Sequence, residues 1–249
     1  MEKESNISCW LLFAYGLVFA FFQIMPALLP SFLKKPLTWG DTLDFFTPWA
    51  VIPLAYLLYW QIKNILFSPD SSSGHPSLAG KIILAAGFIS YINGHGLHLS
   101  ANAIARLLQE MKGTEIYKAT YLFDEVISHF MWDGGVFLIS LGLIILAFKV
   151  PFKSLSGRNF VFLLLGAACY GFTFTVDGIE GQTVIFTLPA AFLGCLLSLA
   201  LYLKGHRKGF KNPFFIFFAL SYLISLILFA YWGLTYSGFP QFSELGWIR

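Results

Sequence analysis

The chain of 249 residues is 57% hydrophobic and only 12% charged, with a formal net charge of +3, whereas a soluble domain is roughly 45–50% apolar and about 25% charged. This balance excludes an ordinary soluble globule and offers no basic surface for nucleic acid. It places the chain in a lipid bilayer, and the 18% aromatic content suits lipid-facing surfaces and interfacial belts.

A membrane-crossing helix needs about 20 mostly apolar residues. Seven stretches meet that need, at about 9–32, 44–66, 80–105, 119–148, 159–177, 182–203 and 213–236. The first runs past the length of a signal-peptide core and follows a net acidic start, so it is expected to remain as a membrane helix. Turn chemistry separates the spans: Lys34-Lys35-Pro36, the polar run from Ser68 to Gly74, Lys112-Gly113, Lys153 to Gly157, Asp177-Gly178, and Gly205 to Pro213. The run from Ser68 to Gly74 is expected to be the flexible loop. Cys9, Cys169 and Cys195 lie in apolar runs without metal-ligand spacing, so neither a disulfide framework nor a zinc knuckle is expected. The expected fold is all-α: a polytopic membrane protein forming one domain, 1–249, as a bundle of seven transmembrane helices.

Seven spans put the N-terminus on the same side as the second, fourth and sixth connections. That side holds Lys3, Lys63, Lys81, Lys149, Lys153, Arg158, Lys204, Arg207, Lys208 and Lys211. The other side holds the smaller set Lys34, Lys35, Arg106, Lys112, Lys118 and Arg249. The positive-inside rule then predicts a cytoplasmic N-terminus and an extracytoplasmic C-terminus.

The third and fourth spans carry most of the ionisable residues found inside apolar runs. Tyr91, His95, His98 and Asn102 follow the i, i+4, i+7, i+11 spacing of one helical face. Glu125, His129 and Asp133 recur every four residues, with Asp124 and Ser128 beside them. Two antiparallel helices turning near Lys112 pair residues whose numbers sum to about 224 at 1.5 Å rise per residue. That register sets Tyr91 against Asp133, His95 against His129 and His98 against Glu125. Polar groups at equal depth are expected to face each other rather than lipid. Asp177 and Glu180, in the turn after the fifth span, and Asp41 and Asp44, at the start of the second, fall at the same end of the bundle.

Three imidazoles and a carboxylate, His95, His98, Glu125 and His129, form a ligand set suited to Zn²⁺, with iron or haem less favoured. Asp124, Asp133 and Asp177 are the candidate catalytic acids, placed to orient an imidazole or deprotonate a water. Tyr91, Asn102 and Glu180 complete the polar site. The expected function is a metal-dependent membrane hydrolase acting on a lipid, lipid-linked or other small-molecule substrate. The alternatives are a proton- or cation-coupled transporter or channel, and a purely structural polar network. The seventh span contains no Lys for a retinal Schiff base. The span number with the three-His and acid set resembles the seven-helix intramembrane metal hydrolases, the alkaline ceramidases and the progestin and adiponectin receptors. That resemblance implies a bundle of the same architecture. It lends no residue roles, because those families carry H-x-x-x-H on the last span and this one has no His there.

Overall fold

Apolar stretches of this length leave the backbone no stable choice in hydrocarbon except the helix, in which each N–H and C=O is paired within the segment. The computed structural model describes residues 2–68, 75–150, 152, 155–206 and 211–247, without the side chains at 2, 3 and 206. Pro69 to Gly74, most of the expected flexible loop, and the bases Lys153, Arg207, Lys208 and Arg249 lie outside the described residues. Among the described residues seven helical stretches are long and apolar enough to cross a membrane: Glu4–Leu28, Trp39–Leu66, Leu78–Leu107, Glu115–Ala147, Gly157–Glu180, Val184–Gly205 and Pro213–Tyr236. The protein is an all-α seven-helix bundle and an integral membrane protein. Its outer surface is apolar on many helices, as at Phe21, Tyr56, Ile89, Leu165, Leu193 and Leu234.

The chain begins with α1 (Glu2–Ile24), which ends in a 3₁₀ turn at Met25–Leu28 started by Pro26. A short antiparallel hairpin follows, β1 (Phe32–Lys34) with β2 (Leu37–Thr38). Where Lys34-Lys35-Pro36 suggests a simple turn, the chain thus pairs with itself on both sides of it. Thr38 then caps α2 (Trp39–Asp44): its hydroxyl accepts from Asp41 N at 3.0 Å, and Asp41 Oδ2 accepts from Thr38 N at 2.7 Å. The remaining helices are α3 (Thr47–Leu66), α4 (Leu78–Leu107), α5 (Glu115–Tyr121), α6 (His129–Ala147), α7 (Gly157–Glu180), α8 (Val184–His206) and α9 (Pro213–Tyr236). Side chains of Ser77, Thr114, Ser156 and Asn212 satisfy the first free N–H groups of α4, α5, α7 and α9.

The most intimate pair is α4 with α6. A Cβ at Gly94 would overlap the Trp132 backbone, and one at Gly135 would overlap the backbone of Tyr91. Small residues bring helix backbones together where lipid gives no hydrophobic push. By contrast Gly96 and Gly134 face open space. Tyr91 therefore backs onto Gly135 rather than standing level with Asp133. The connection explains the difference, because a 3₁₀ turn at Gln109–Met111 and a left-handed Gly113 (φ +94°) lengthen the turn and move its centre toward Gly113.

Candidate functional site

A second irregularity decides which acid meets which imidazole. Leu122–Ser128 between α5 and α6 is a π-helix. Its wider turn holds more residues than an α-turn and so rotates the following face. Asp124 is thereby buried beside Ser128, and Glu125 turns to the wall of a cavity. His98 Nδ1 lies 3.0 Å from Asp124 Oδ1, where the spacing rule had set it against Glu125.

The cavity, about 630 Å³, lies at the end of the bundle where α4 and α7 finish. Of the residues expected from the sequence, His98, Asn102, Glu125, His129, Asp133, Asp177 and Glu180 line it. Tyr91, His95 and Asp124 do not. They stand behind the wall, each 3% exposed or less. His95 is committed elsewhere: its Nε2 donates to the backbone oxygen of Asp44 at 2.8 Å, which fixes the tautomer and leaves Nδ1 without a partner among the described residues. Its ring meets Trp132 edge-on at 4.7 Å between centroids.

His98 and His129 are the imidazoles at the cavity wall. Their rings lie 4.8 Å apart, and Trp132 stacks near-parallel to His129. Glu125 Oε2 is 3.8 Å from His129 Nε2. His98 Nε2, on the far side of the ring from Nδ1, is turned away from Asp124. Among the described residues no three His, Cys, Asp or Glu side chains already converge as a group able to hold a metal ion. The nearest approach to a ligand set is the His98 and His129 pair with Glu125.

The other acids differ in how fully they are satisfied. Asp133 is 3% exposed and accepts from the Thr183 hydroxyl through Oδ2. Asp177 sits in the last turn of α7, not in a loop as the sequence suggested, and its Oδ2 is buried with no partner among the described residues. Glu180 reaches back over the chain end, where its Oε2 accepts from Phe242 N at 2.7 Å. Trp232 Nε1 donates to Pro240 O at 3.0 Å, so the segment after α9 folds back against the bundle beside the cavity mouth.

Four cavity residues outside the sequence-derived site complete it. Asp44 accepts from Thr47 at 2.8 Å and holds His95 through its backbone. Gln23, on α1, donates to Tyr91 at 3.4 Å. Asp41 and Arg106 form a two-point pair: Arg106 Nη2 donates to Asp41 Oδ1 at 2.8 Å and Nη1 to Oδ2, while Nη1 also donates to Pro36 O at 2.9 Å. The acids stood out as charges at the head of the second span. Arg106 carried no such signal, because a lone base at a helix end reads as an ordinary interfacial cation.

Below the cavity large aromatic side chains fill the bundle. Beneath Gln23 lie Phe19 and Tyr15; beneath Asp177 lie Phe174 and Tyr170; Tyr222 enters from α9. All are at most 1% exposed. Phe19 and Tyr170 rings are 5.0 Å apart, and Phe174 and Tyr222 rings 5.4 Å. These rings form a floor between the cavity and the opposite end of the bundle.

Fold and site together define an integral membrane protein with a polar, acid-rich chamber at one end of a seven-helix bundle. Comparison of the chain with protein-family models, with curated proteins and with solved structures finds no match in any of the three.

Proposed function

We propose that this protein is a membrane hydrolase acting on a lipid-like substrate, with its chamber as the active site. The observation that carries this reading is the Asp124–His98 pair beside His129 at the wall of a floored cavity. A carboxylate 3.0 Å from one imidazole nitrogen attracts that nitrogen's proton and leaves the other nitrogen for the chamber that His98 lines. The aromatic floor favours a chamber that converts what enters it over a pathway that passes it across the bilayer.

The proposed cofactor is Zn²⁺, held by His98 and His129, with Glu125 completing the set by rotation of its flexible side chain. When bound it would lower the pKa of a coordinated water and polarise a substrate carbonyl. The chain's own groups do the rest. Asp124 holds His98 in position, and Glu180, which also lines the chamber, takes the proton of the attacking water. As the new C–O bond forms and the ester or amide bond breaks, the same carboxyl returns that proton to the leaving group. The excess of Lys and Arg in the connections on the N-terminal side of the membrane supports a cytoplasmic N-terminus, which opens the chamber to the extracytoplasmic side.

Elemental analysis of protein purified in non-ionic detergent tests the proposal. About one zinc per chain is expected, lost in both His98→Ala and His129→Ala but retained in His95→Ala, whose imidazole is bonded to Asp44. Metal-free wild-type protein that remains folded would sink the metal-dependent reading.

A further inference from the structure

The chamber's charge is lopsided. Asp41, Asp44, Glu125, Asp133, Asp177 and Glu180 line it, against Arg106 as the one Lys or Arg side chain among its lining residues. Arg106 is itself neutralised by both oxygens of Asp41. Among the described residues, two of these carboxyls retain unused oxygens: Asp177 Oδ2 is buried without a partner, and Asp133, 3% exposed, makes its only hydrogen bond through Oδ2 to Thr183. Carboxylates sequestered from water in this way stay ionised only beside a positive partner. Trp132 and Tyr121, side chains of the kind whose ring faces attract cations, line the same chamber.

The wall on the α1 side is thin and greasy. Pro26, Ala27, Pro30 and Phe32 line the chamber, and the adjoining Leu28, Leu29 and Leu33 are exposed. Across the mouth, Tyr121 also lines the chamber while Leu122 and Phe123 beside it are exposed. An alkyl chain leaving between the β1–β2 hairpin and α5 would stay on apolar surface.

We infer that the chamber recognises an amphiphile with a cationic, amine-bearing headgroup, the ammonium held by Asp133 and Asp177 and the alkyl chain passing out between the hairpin and α5. This deepens the hydrolase reading and rests on the chamber being a substrate site. A single zinc ion would offset only part of the carboxylate charge, so the preference holds with or without metal.

Equilibrium dialysis of radiolabelled probes against chelator-treated, full-length protein in non-ionic detergent, corrected with micelle blanks, tests it. Dodecylamine is expected to bind at least tenfold more tightly than dodecanol, dodecyl sulfate or ethanolamine. Asp133→Asn with Asp177→Asn should reduce that preference to below threefold, while Glu110→Gln, an exposed acid outside the chamber, should leave it intact. Should the double variant fail to fold, Asp177→Asn alone is read, since its Oδ2 has no partner to lose, and at least a threefold loss is expected. Equal binding of dodecanol or dodecyl sulfate overturns the cationic headgroup. Equal binding of ethanolamine overturns the amphiphile, and a preference that survives in the folded variants overturns the assigned carboxyls. Because the protein is metal-free throughout, this result is independent of the zinc analysis.

Discussion

The two halves of the bundle bury polar groups in opposite ways. In the half away from the chamber, Tyr170 OH lies 2.6 Å from Ser140 Oγ, which also donates to Val136 O, and Ser225 donates to backbone oxygens of Gly171 and Ser221. These are neutral arrangements among packed rings, and beside them Ser221 Oγ and Tyr222 OH have no hydrogen-bond partner among the described residues. In the chamber half, ionisable groups come from many elements, and part of their bonding capacity faces the cavity. Burial alone therefore does not mark function in this protein. What separates the halves is charge: the chamber half buries carboxylates and imidazoles, whereas the other half buries mostly hydroxyls and amides.

The largest expected effect comes from breaking the frame that both halves share. Gly135→Val would drive a branched side chain into the Tyr91 backbone at the α4–α6 contact. Neither helix can yield without separating, so a destabilisation of about 3 kcal/mol is expected. Gly134→Val, one residue away and facing open space, should be tolerated. Thermal unfolding of the two variants in detergent, followed by size-exclusion, checks this. Equal melting temperatures would mean that the α4–α6 approach does not limit stability.

A smaller effect should remain local to the chamber half. Arg106→Ala removes three hydrogen bonds that tie the β1–β2 hairpin and α2 to the end of α4. Among the described residues Asp41, largely buried, then keeps only Thr38 as a side-chain partner. The expected cost is about 2 kcal/mol, the range for leaving a charged group short of its partner. Limited proteolysis should show faster cleavage within residues 31–38, with the rest of the bundle protected. Uniform loss of protection would show that the hairpin and bundle unfold as one unit.

Much of the chamber was legible in the sequence because helical spacing survives folding. His98 and Asn102 on one stripe, and Glu125, His129 and Asp133 on the other, line one cavity as their spacing required. The partner assignments were less legible. A register counted from a tight turn at Lys112 misses the added 3₁₀ turn and Gly113, and a constant 3.6-residue period misses the π-helix that substitutes Asp124 for Glu125 at His98. His95 shares its stripe with His98, yet the stripe is wide enough for His95 to face α2 while His98 faces the cavity. The Asp41–Arg106 pair spans 65 residues and joins a loop-borne helix to a helix end, so no local pattern announces it.

The smallest prediction sharpens the contrast between the halves most directly. Tyr170→Phe deletes the hydroxyl at Ser140 while keeping the ring that packs on Phe19 and Tyr15. Ser140 keeps its bond to Val136 O at 3.1 Å, so no buried donor is orphaned. The cost should be about 1 kcal/mol, one net hydrogen bond. If the floor is a self-contained structural layer, this variant lowers the melting temperature slightly and leaves zinc content and dodecylamine affinity at wild-type values. A change in either, with the fold intact, would mean that the chamber extends functionally into the aromatic layer and that the two halves are coupled.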